Sequence, residues 1–381
     1  MSFATLALIA GIAVLGPLLA LPRRWNLPVV LGELIGGILL GPTGVDVLHA
    51  HNGTFSFLAD IGFALVMFVA GSHVPVREAR LRAALPAGLL RAVGVGVAAV
   101  AVGLLLAWLF GTGHGPLYAV LLASSSAALI LPIVDSLHLG GTPILQLLPQ
   151  IAVADAACIV ALPLAVDPRH AGRAALGALA VLGAAAVAYL VLWYLERSGL
   201  RDRVHKVSED RRFALELRIN LVILFALAAL AMLVHVSLML AGFAYGLAVA
   251  AVGEPRRRLA RQLFAITEGF FGPLFFVWLG ASLDLRELGR HPILIGLGLA
   301  LGAGAVVTHA AMRLTGQPLP VGGLAAAQLG VPVAAATIGA QTGLLRPGEP
   351  AALLLGALLT VGVAVLCGSL SARAGLVEVP P

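Results

Sequence analysis

Residues 67–78 read MFVAGSHVPVRE, and residues 276–287 read FVWLGASLDLRE. Setting Gly71 on Gly280 also sets Arg77-Glu78 on Arg286-Glu287, an offset of 209 positions. The same offset carries Gly37 onto Gly246. Matches at a fixed spacing mark an internal repeat, and the rest of the chain is read outward from this pair.

The surroundings of both copies are membrane sequence. Of 381 residues, 60% are hydrophobic and 11% charged, and mean hydropathy is +1.03. A soluble domain carries about 25% charged residues, so this composition excludes an ordinary soluble enzyme, and equally a disordered or fibrous chain. A helix needs about 20 apolar residues to cross a bilayer. Thirteen runs qualify, at 2–22, 28–47, 56–73, 84–111, 115–137, 143–165, 171–195, 212–234, 237–252, 268–283, 292–314, 320–344 and 348–371. No basic residue precedes the first run and Arg23-Arg24 follow it, so it reads as an uncleaved span. Connections are short, and the expectation is one all-α membrane domain over 1–381 without a soluble regulatory domain. Its first repeat covers about 28–165 and its second about 237–371, with a polar linker at about 196–212. Matching spans lie seven apart. An odd separation inverts one copy relative to the other, which is the inverted-repeat plan of secondary transporters.

The net charge of +6 follows the loops. Lys206 is the sole lysine, and seventeen of the 24 basic residues fall on one side of the membrane. Arg169, Arg173, Arg286, Arg290 and Arg346 fall on the other, with Arg91 and Arg218 inside helix ends. Positive loops face the cytoplasm. The chain is therefore expected in the plasma (inner) membrane with its N-terminus outside and its C-terminus cytoplasmic. Topology, not nucleic-acid binding, explains the positive balance. The stretch EPRRRLARQ at 254–262 suits anionic lipid headgroups. Cys158 and Cys367 lie in apolar runs and form no disulfide framework or zinc motif. GxxxxGK[ST], HExxH, GxSxG, GxGD and TVGYG are all absent, and no span carries an arginine ladder. These absences argue against a pump driven by ATP, a membrane protease, a potassium channel and a voltage sensor. A carrier, not an enzyme, is expected, with no cofactor.

The repeat also says where a site belongs. Paired interruptions at corresponding spans mark the binding region of such carriers. The fifth span, LLASSSAALILPIVDS, places Ser124, Ser125 and Ser126 ahead of Pro132, and the twelfth, AAAQLGVPVAAATIGAQTG, holds Gly330 and Pro332 at its middle. Both are expected to be discontinuous, because proline removes a donor and clashes with the preceding turn. The sixth span contains LLPQIAVADAACIVALPL at 147–164, with Asp155 about twelve residues from either end. That is roughly 18 Å of helix, near the bilayer midplane. Charge there costs several kcal/mol, so the carboxylate is neutralised by a proton or a small cation. Gln150, Ser125 and Ser126 are candidate neutral oxygen ligands. Glu33 reads as a helix cap or part of an access path. Asp60 reads as reaching water near a span end. Thr308 and His309 are polar positions deep in the eleventh span, where a satisfied packing histidine is the expectation, and His114 reads as interfacial.

These residues resemble the monovalent cation:proton antiporter superfamily, in its bacterial potassium-efflux and sodium/proton branch. LPVVLGELIGGILLGPTGVDVL (27–48) is similar to that branch's second span, and FLADIGFALVMFVAGSHVPV to its third. SSSAALILPIVDSLHL resembles the interrupted crossing span, LELRINLVILFALAALAMLVHVSLMLAGFAYGLAVA the eighth and ninth, and PLFFVWLGASLDL the tenth. The resemblance implies a core of spans four to six and eleven to thirteen. It also implies a panel of spans two, three, nine and ten that joins two copies into a homodimer. It further implies that Asp155, second of a pair of positions that is often doubly acidic, binds both the ion and the proton. The first position is Ala154, and the lysine that accompanies a first acid falls near Gly304. Losing both together avoids an unpaired buried charge, and one carboxylate exchanging one proton for one Na⁺ or K⁺ is the expected mechanism. Two other readings are a sodium-coupled organic-anion symporter, which needs more polar residues at the breaks, and a non-transporting membrane sensor, which does not account for Asp155.

Overall fold

The computed structural model describes every residue except 22–28, 73–78, 167–170, 200–212, 235, 237, 254–256, 284 and 378–381. Most of the linker and the Arg77-Glu78 half of the repeat match therefore lie outside the described residues. The rest is nearly all helix. The helices are α1 (Phe3–Ala13), α2 (Leu15–Ala20), α3 (Val29–Leu40), α4 (Gly53–Ser72), α5 (Ala79–Leu109), α6 (Gly115–Ala123), α7 (Ala127–Ser136), α8 (Thr142–Val166) and α9 (Ala171–Arg197). They continue with α10 (Leu215–Leu233), α11 (Leu238–Val252), α12 (Arg257–Ile266), α13 (Gly272–Ala281), α14 (Leu285–Arg290), α15 (Pro292–Ala310), α16 (Leu319–Ala325), α17 (Gly330–Thr342) and α18 (Glu349–Arg373). A π-helical turn, Thr267–Phe271, joins α12 to α13. Among the described residues, nine helical stretches are long and apolar enough to cross a membrane. Four of the thirteen sequence runs appear instead as shorter pieces: α1–α2, the twelve-residue α3, the interrupted α6–α7, and the fifteen-residue α11. This is a multi-pass membrane protein.

The helices gather into two compact units. One comprises Met1–Asn52, Ala79–Arg169 and Phe276–Pro381, and the other Gly53–Glu78 and His170–Phe275. In the first, α3 crosses α13 where Gly37 meets Gly280. A Cβ on Gly37 would lie 2.9 Å from the Gly280 Cα and overlap the Val277 carbonyl, and one on Gly280 would overlap the Leu34 carbonyl. In the second, α4 crosses α11 where Gly71 meets Gly246. A Cβ on Gly246 would lie 2.8 Å from the Gly71 Cα and overlap the Phe68 carbonyl, and one on Gly71 would overlap the Phe243 carbonyl. Adding 209 to Leu34, Gly37, Phe68 and Gly71 gives Phe243, Gly246, Val277 and Gly280, so each crossing repeats the other atom for atom at the backbone. Small residues let helix backbones approach where lipid offers no hydrophobic drive. The repeat first read as letters thus persists as a contact.

Each unit has its own core. In the second, Phe68 stacks on Tyr245 at 5.0 Å and Phe63 on Phe275 at 4.8 Å, and the Tyr245 hydroxyl donates to Asn220 Oδ1 at 2.8 Å. In the first, α15 lies along α18, where Cβ atoms on Gly298 and Gly302 would sit 2.8 Å from the Ala352 and Gly356 carbonyls. That unit also holds both interrupted spans and α8.

Candidate functional site at two broken helices

Both expected interruptions are present. α6 stops at Ala123, Ser124 is extended, and helix resumes at Ala127. α16 stops at Ala325, and Ala326–Leu329 leave the helix before Gly330 starts α17. The second break precedes Gly330 and Pro332 instead of falling on them. Pro332 occupies the first turn of α17, where its missing N–H forfeits no helical bond.

Freed backbone groups inside a bilayer need protein partners, and here the two breaks serve each other. The Ser126 N–H donates to the Ala327 carbonyl at 2.8 Å. Ser125 Oγ donates to the Ala325 carbonyl at 2.6 Å, and Ser124 Oγ to the Leu121 carbonyl at 2.8 Å. Gln328 Nε2 also reaches the Leu121 carbonyl, at 2.6 Å, while its backbone N–H donates to Thr360 Oγ1 at 3.1 Å. Ser124, Ser125, Ser126 and Gln328 are all buried.

α8 delivers Asp155 to this crossing. The residue is 5% exposed, and its Oδ2 accepts the Ala127 N–H at 3.3 Å. Ala127 opens α7, so the carboxylate faces the partially positive end of a half-helix. Among the described residues no lysine or arginine joins it. The ion pairs among the described residues are Asp46–His49 and His114–Glu349. The site is therefore a buried carboxyl group that accepts one backbone hydrogen bond among the described residues.

The other sequence candidates divide. Thr308 reaches the crossing, its hydroxyl 2.8 Å from the Ala305 carbonyl and 3.4 Å from that of Leu122. Gln150 is buried but engaged elsewhere, its Oε1 accepting from Gln317 Nε2 at 2.8 Å. Glu33 is buried on α3 near Gly16. Asp60 sits in the other unit on α4, partly exposed. His309 is fully buried beside the Leu122 and Ser124 carbonyls at the end of α6.

One cluster went unread in the sequence. Glu349, 0% exposed at the start of α18, accepts from His114 Nδ1 at 2.7 Å, from the Tyr118 hydroxyl at 2.6 Å and from the Arg346 N–H at 3.0 Å. His114 and Tyr118 flank the first turn of α6, so this carboxylate moors the crossing helix to the last span. The only local signal was an acid in a first helical turn, which every N-terminal cap shares. Glu349→Ala leaves three donors facing a void. It is expected to cost about 3 kcal/mol, read as a fall in the thermal unfolding midpoint in detergent, with Glu349→Gln falling less. Equal midpoints for Glu349→Ala and wild type would dismiss the mooring.

Comparison with known proteins agrees with this architecture. The profile described as "Sodium/hydrogen exchanger, transmembrane" matches residues 10–370. A probable Na(+)/H(+) antiporter 3 of Methanocaldococcus jannaschii is 26% identical over 85% of this chain and 85% of its own length. The glutathione-regulated potassium-efflux protein KefC of Salmonella typhimurium is 29% identical over 73% of this chain, and the match spans 45% of that relative. The putative Na(+)/H(+) antiporter YjbQ of Bacillus subtilis is 24% identical over 96% of this chain, spanning 62% of that relative. Among solved structures, the sodium proton antiporter MjNhaP1 of Methanocaldococcus jannaschii superposes with a TM-score of 0.71 over the full length of both chains at 16% identity. That likeness establishes the fold.

Proposed function

The chain belongs to the sodium/hydrogen exchanger family, and on that premise we propose that it exchanges protons for monovalent cations, Na⁺ or K⁺, by alternating access, with Asp155 as the site both share. The observation that carries this reading is a buried carboxylate without a cationic partner, set against the N-terminus of a half-helix. An unneutralised carboxylate resists crossing an apolar barrier. A proton or a cation each removes that penalty, and the two exclude one another. Exchange then needs no second coupling residue. Ser124 and Ser125 direct their hydroxyl hydrogens at carbonyls, which leaves their oxygen lone pairs free to face a cation. Ser126, Gly330 and Pro332 line the same crossing as accessory positions.

Alanine at 154 and the absence of a lysine from the eleventh span, 292–314, leave one titrating carboxylate at the crossing. The exchange is therefore one proton for one cation and moves no net charge. In proteoliposomes with a lumenal pH dye, external Na⁺ or K⁺ collapses an imposed pH gradient, and the salt that works identifies the ion. An imposed membrane potential leaves that rate unchanged. A rate that follows the potential would refute the one-for-one stoichiometry while keeping the exchange. The bias of the basic residues supports a plasma-membrane orientation with the N-terminus outside and the C-terminus cytoplasmic. The family resemblance supports a homodimer.

A further inference from the structure

The stretch EPRRRLARQ (254–262) sets Arg256, Arg257, Arg258 and Arg261 against a single acid, Glu254. From Arg257 onward the structure makes it the start of a membrane-crossing helix. α12, the π-helical turn Thr267–Phe271 and α13 follow one another without a break, 25 residues from Arg257 to Ala281. At 1.5 Å per residue that is roughly 37 Å, against about 30 Å of hydrocarbon. The apolar run expected at 268–283 is the later part of this crossing. The surplus length at its start carries Arg257, Arg258 and Arg261 at headgroup depth. Leu259 and Leu263 are buried and fix the inward face of α12. Arg261 and Phe264, three residues apart and so neighbours on the helix surface, are both exposed, the phenylalanine at 63%. Arg257 and Arg258 precede Arg261 by four and three positions, in register with the same stripe. Arg261 takes part in neither ion pair among the described residues, Asp46–His49 and His114–Glu349.

We infer that this stripe is a docking site for an anionic phospholipid, with the headgroup phosphate on Arg261, Arg257 and Arg258 and an acyl chain along Phe264. Charge and depth together choose the occupant. A guanidinium matches the phosphate oxygens in geometry as well as charge. Phe264 lies roughly 4.5 Å further along the helix than Arg261, which is where acyl chains begin below the headgroups. Free phosphate would engage the arginines and leave the ring unused, and so would an acidic protein in the aqueous phase. Several arginines at one membrane face favour a headgroup with net negative charge over a zwitterionic one. The same anion offsets the crowding of like charges at the start of a helix, whose own partial charge is positive. The lipid takes no part in the exchange. It holds this end of the crossing helix at the membrane surface.

The test titrates phosphatidylglycerol into the purified protein in a neutral detergent and follows the thermal unfolding midpoint, which rises as a lipid binds the folded state. Phosphatidylglycerol is expected to raise the midpoint of wild type, and phosphatidylcholine or inorganic phosphate at the same concentration to leave it in place. Each arginine near a charged surface contributes about fivefold in affinity. Combining Arg257→Gln, Arg258→Gln and Arg261→Gln should therefore raise the half-effective lipid concentration on the order of a hundredfold, while three Arg→Lys changes at the same positions keep it within about fivefold. Arg261→Gln alone, at an exposed position, is expected to raise it about fivefold and serves if the triple variant folds poorly. Phe264→Ala weakens binding severalfold and keeps the preference for the anionic headgroup. Equal responses of wild type to the two lipids, or to inorganic phosphate and phosphatidylglycerol, would overturn the inference. So would an unchanged phosphatidylglycerol response in the folded Gln variants. Every readout is a stability, so the result stands apart from whether the protein exchanges Na⁺ or K⁺.

Discussion

Asp155→Asn will carry no proton–cation exchange above that of empty liposomes, while folding as well as wild type. Asparagine keeps the shape of the side chain and an oxygen that accepts the Ala127 N–H, which is the one hydrogen bond the native carboxylate makes to the described residues. It cannot hold a proton or neutralise a cation, so neither substrate is distinguished from an empty site. Within the single-carboxylate mechanism no other residue at the crossing substitutes, since the eleventh span has no lysine and position 154 is alanine. Asp155→Glu retains the charge and displaces it by one methylene, and is expected to keep a reduced rate. The measurement is the decay of an imposed pH gradient on addition of Na⁺ or K⁺, with the detergent unfolding midpoint run in parallel. Residual exchange above about a tenth of wild type in a folded Asn variant would mean that coupling resides elsewhere.

Gly280→Leu will yield little folded protein, and Gly71→Leu will do the same. At each site a Cβ already overlaps a backbone carbonyl, that of Leu34 for Gly280 and that of Phe243 for Gly71. Backbone cannot step aside as a flexible side chain does. Overpacking of a tight contact costs about 1–3 kcal/mol for small additions, and a full leucine at a main-chain crossing exceeds that. The control is Gly96→Ala on α5, where a Cβ meets nothing within 4 Å. Relief of glycine's helix penalty is expected to leave stability equal or raised by up to about 1 kcal/mol. Yield and unfolding midpoint of the three variants, purified side by side, decide the matter. A Gly280→Leu protein as stable as wild type would show that the α3–α13 crossing is loose.

Particular residues show why some of this was legible in the sequence and some was not. Membrane spans follow from apolar length, and the glycine pairs betray themselves because only glycine permits the approach at 37, 71, 246 and 280. Asp155 stood out because a charge among apolar residues has no cheap structural explanation. The second break lies immediately ahead of the residues that suggested it. Proline at 332 drew attention, whereas Ala326, Ala327 and Leu329 carry no mark of unwinding. The stretch is held through the Ala327 carbonyl by Ser126 and through the Gln328 N–H by Thr360, both distant in sequence and invisible to local patterns. Gln150 looked like a ligand for the same reason in reverse: its partner, Gln317, lies 167 residues away. Glu349 was hidden by resembling any first-turn acid.

The bond between the Ser126 N–H and the Ala327 carbonyl has an evolutionary consequence. Two main-chain atoms make the knot at the centre of the crossing, and every residue except proline at 126 can supply them. Selection on side chains therefore has little hold on the geometry at that point. Both positions are buried, so drift at 126 and 327 is limited by side-chain size and not by the hydrogen bond itself. A substitution of similar size at either position would leave the bond intact, so tolerance of such a change says nothing against the importance of the main chain there.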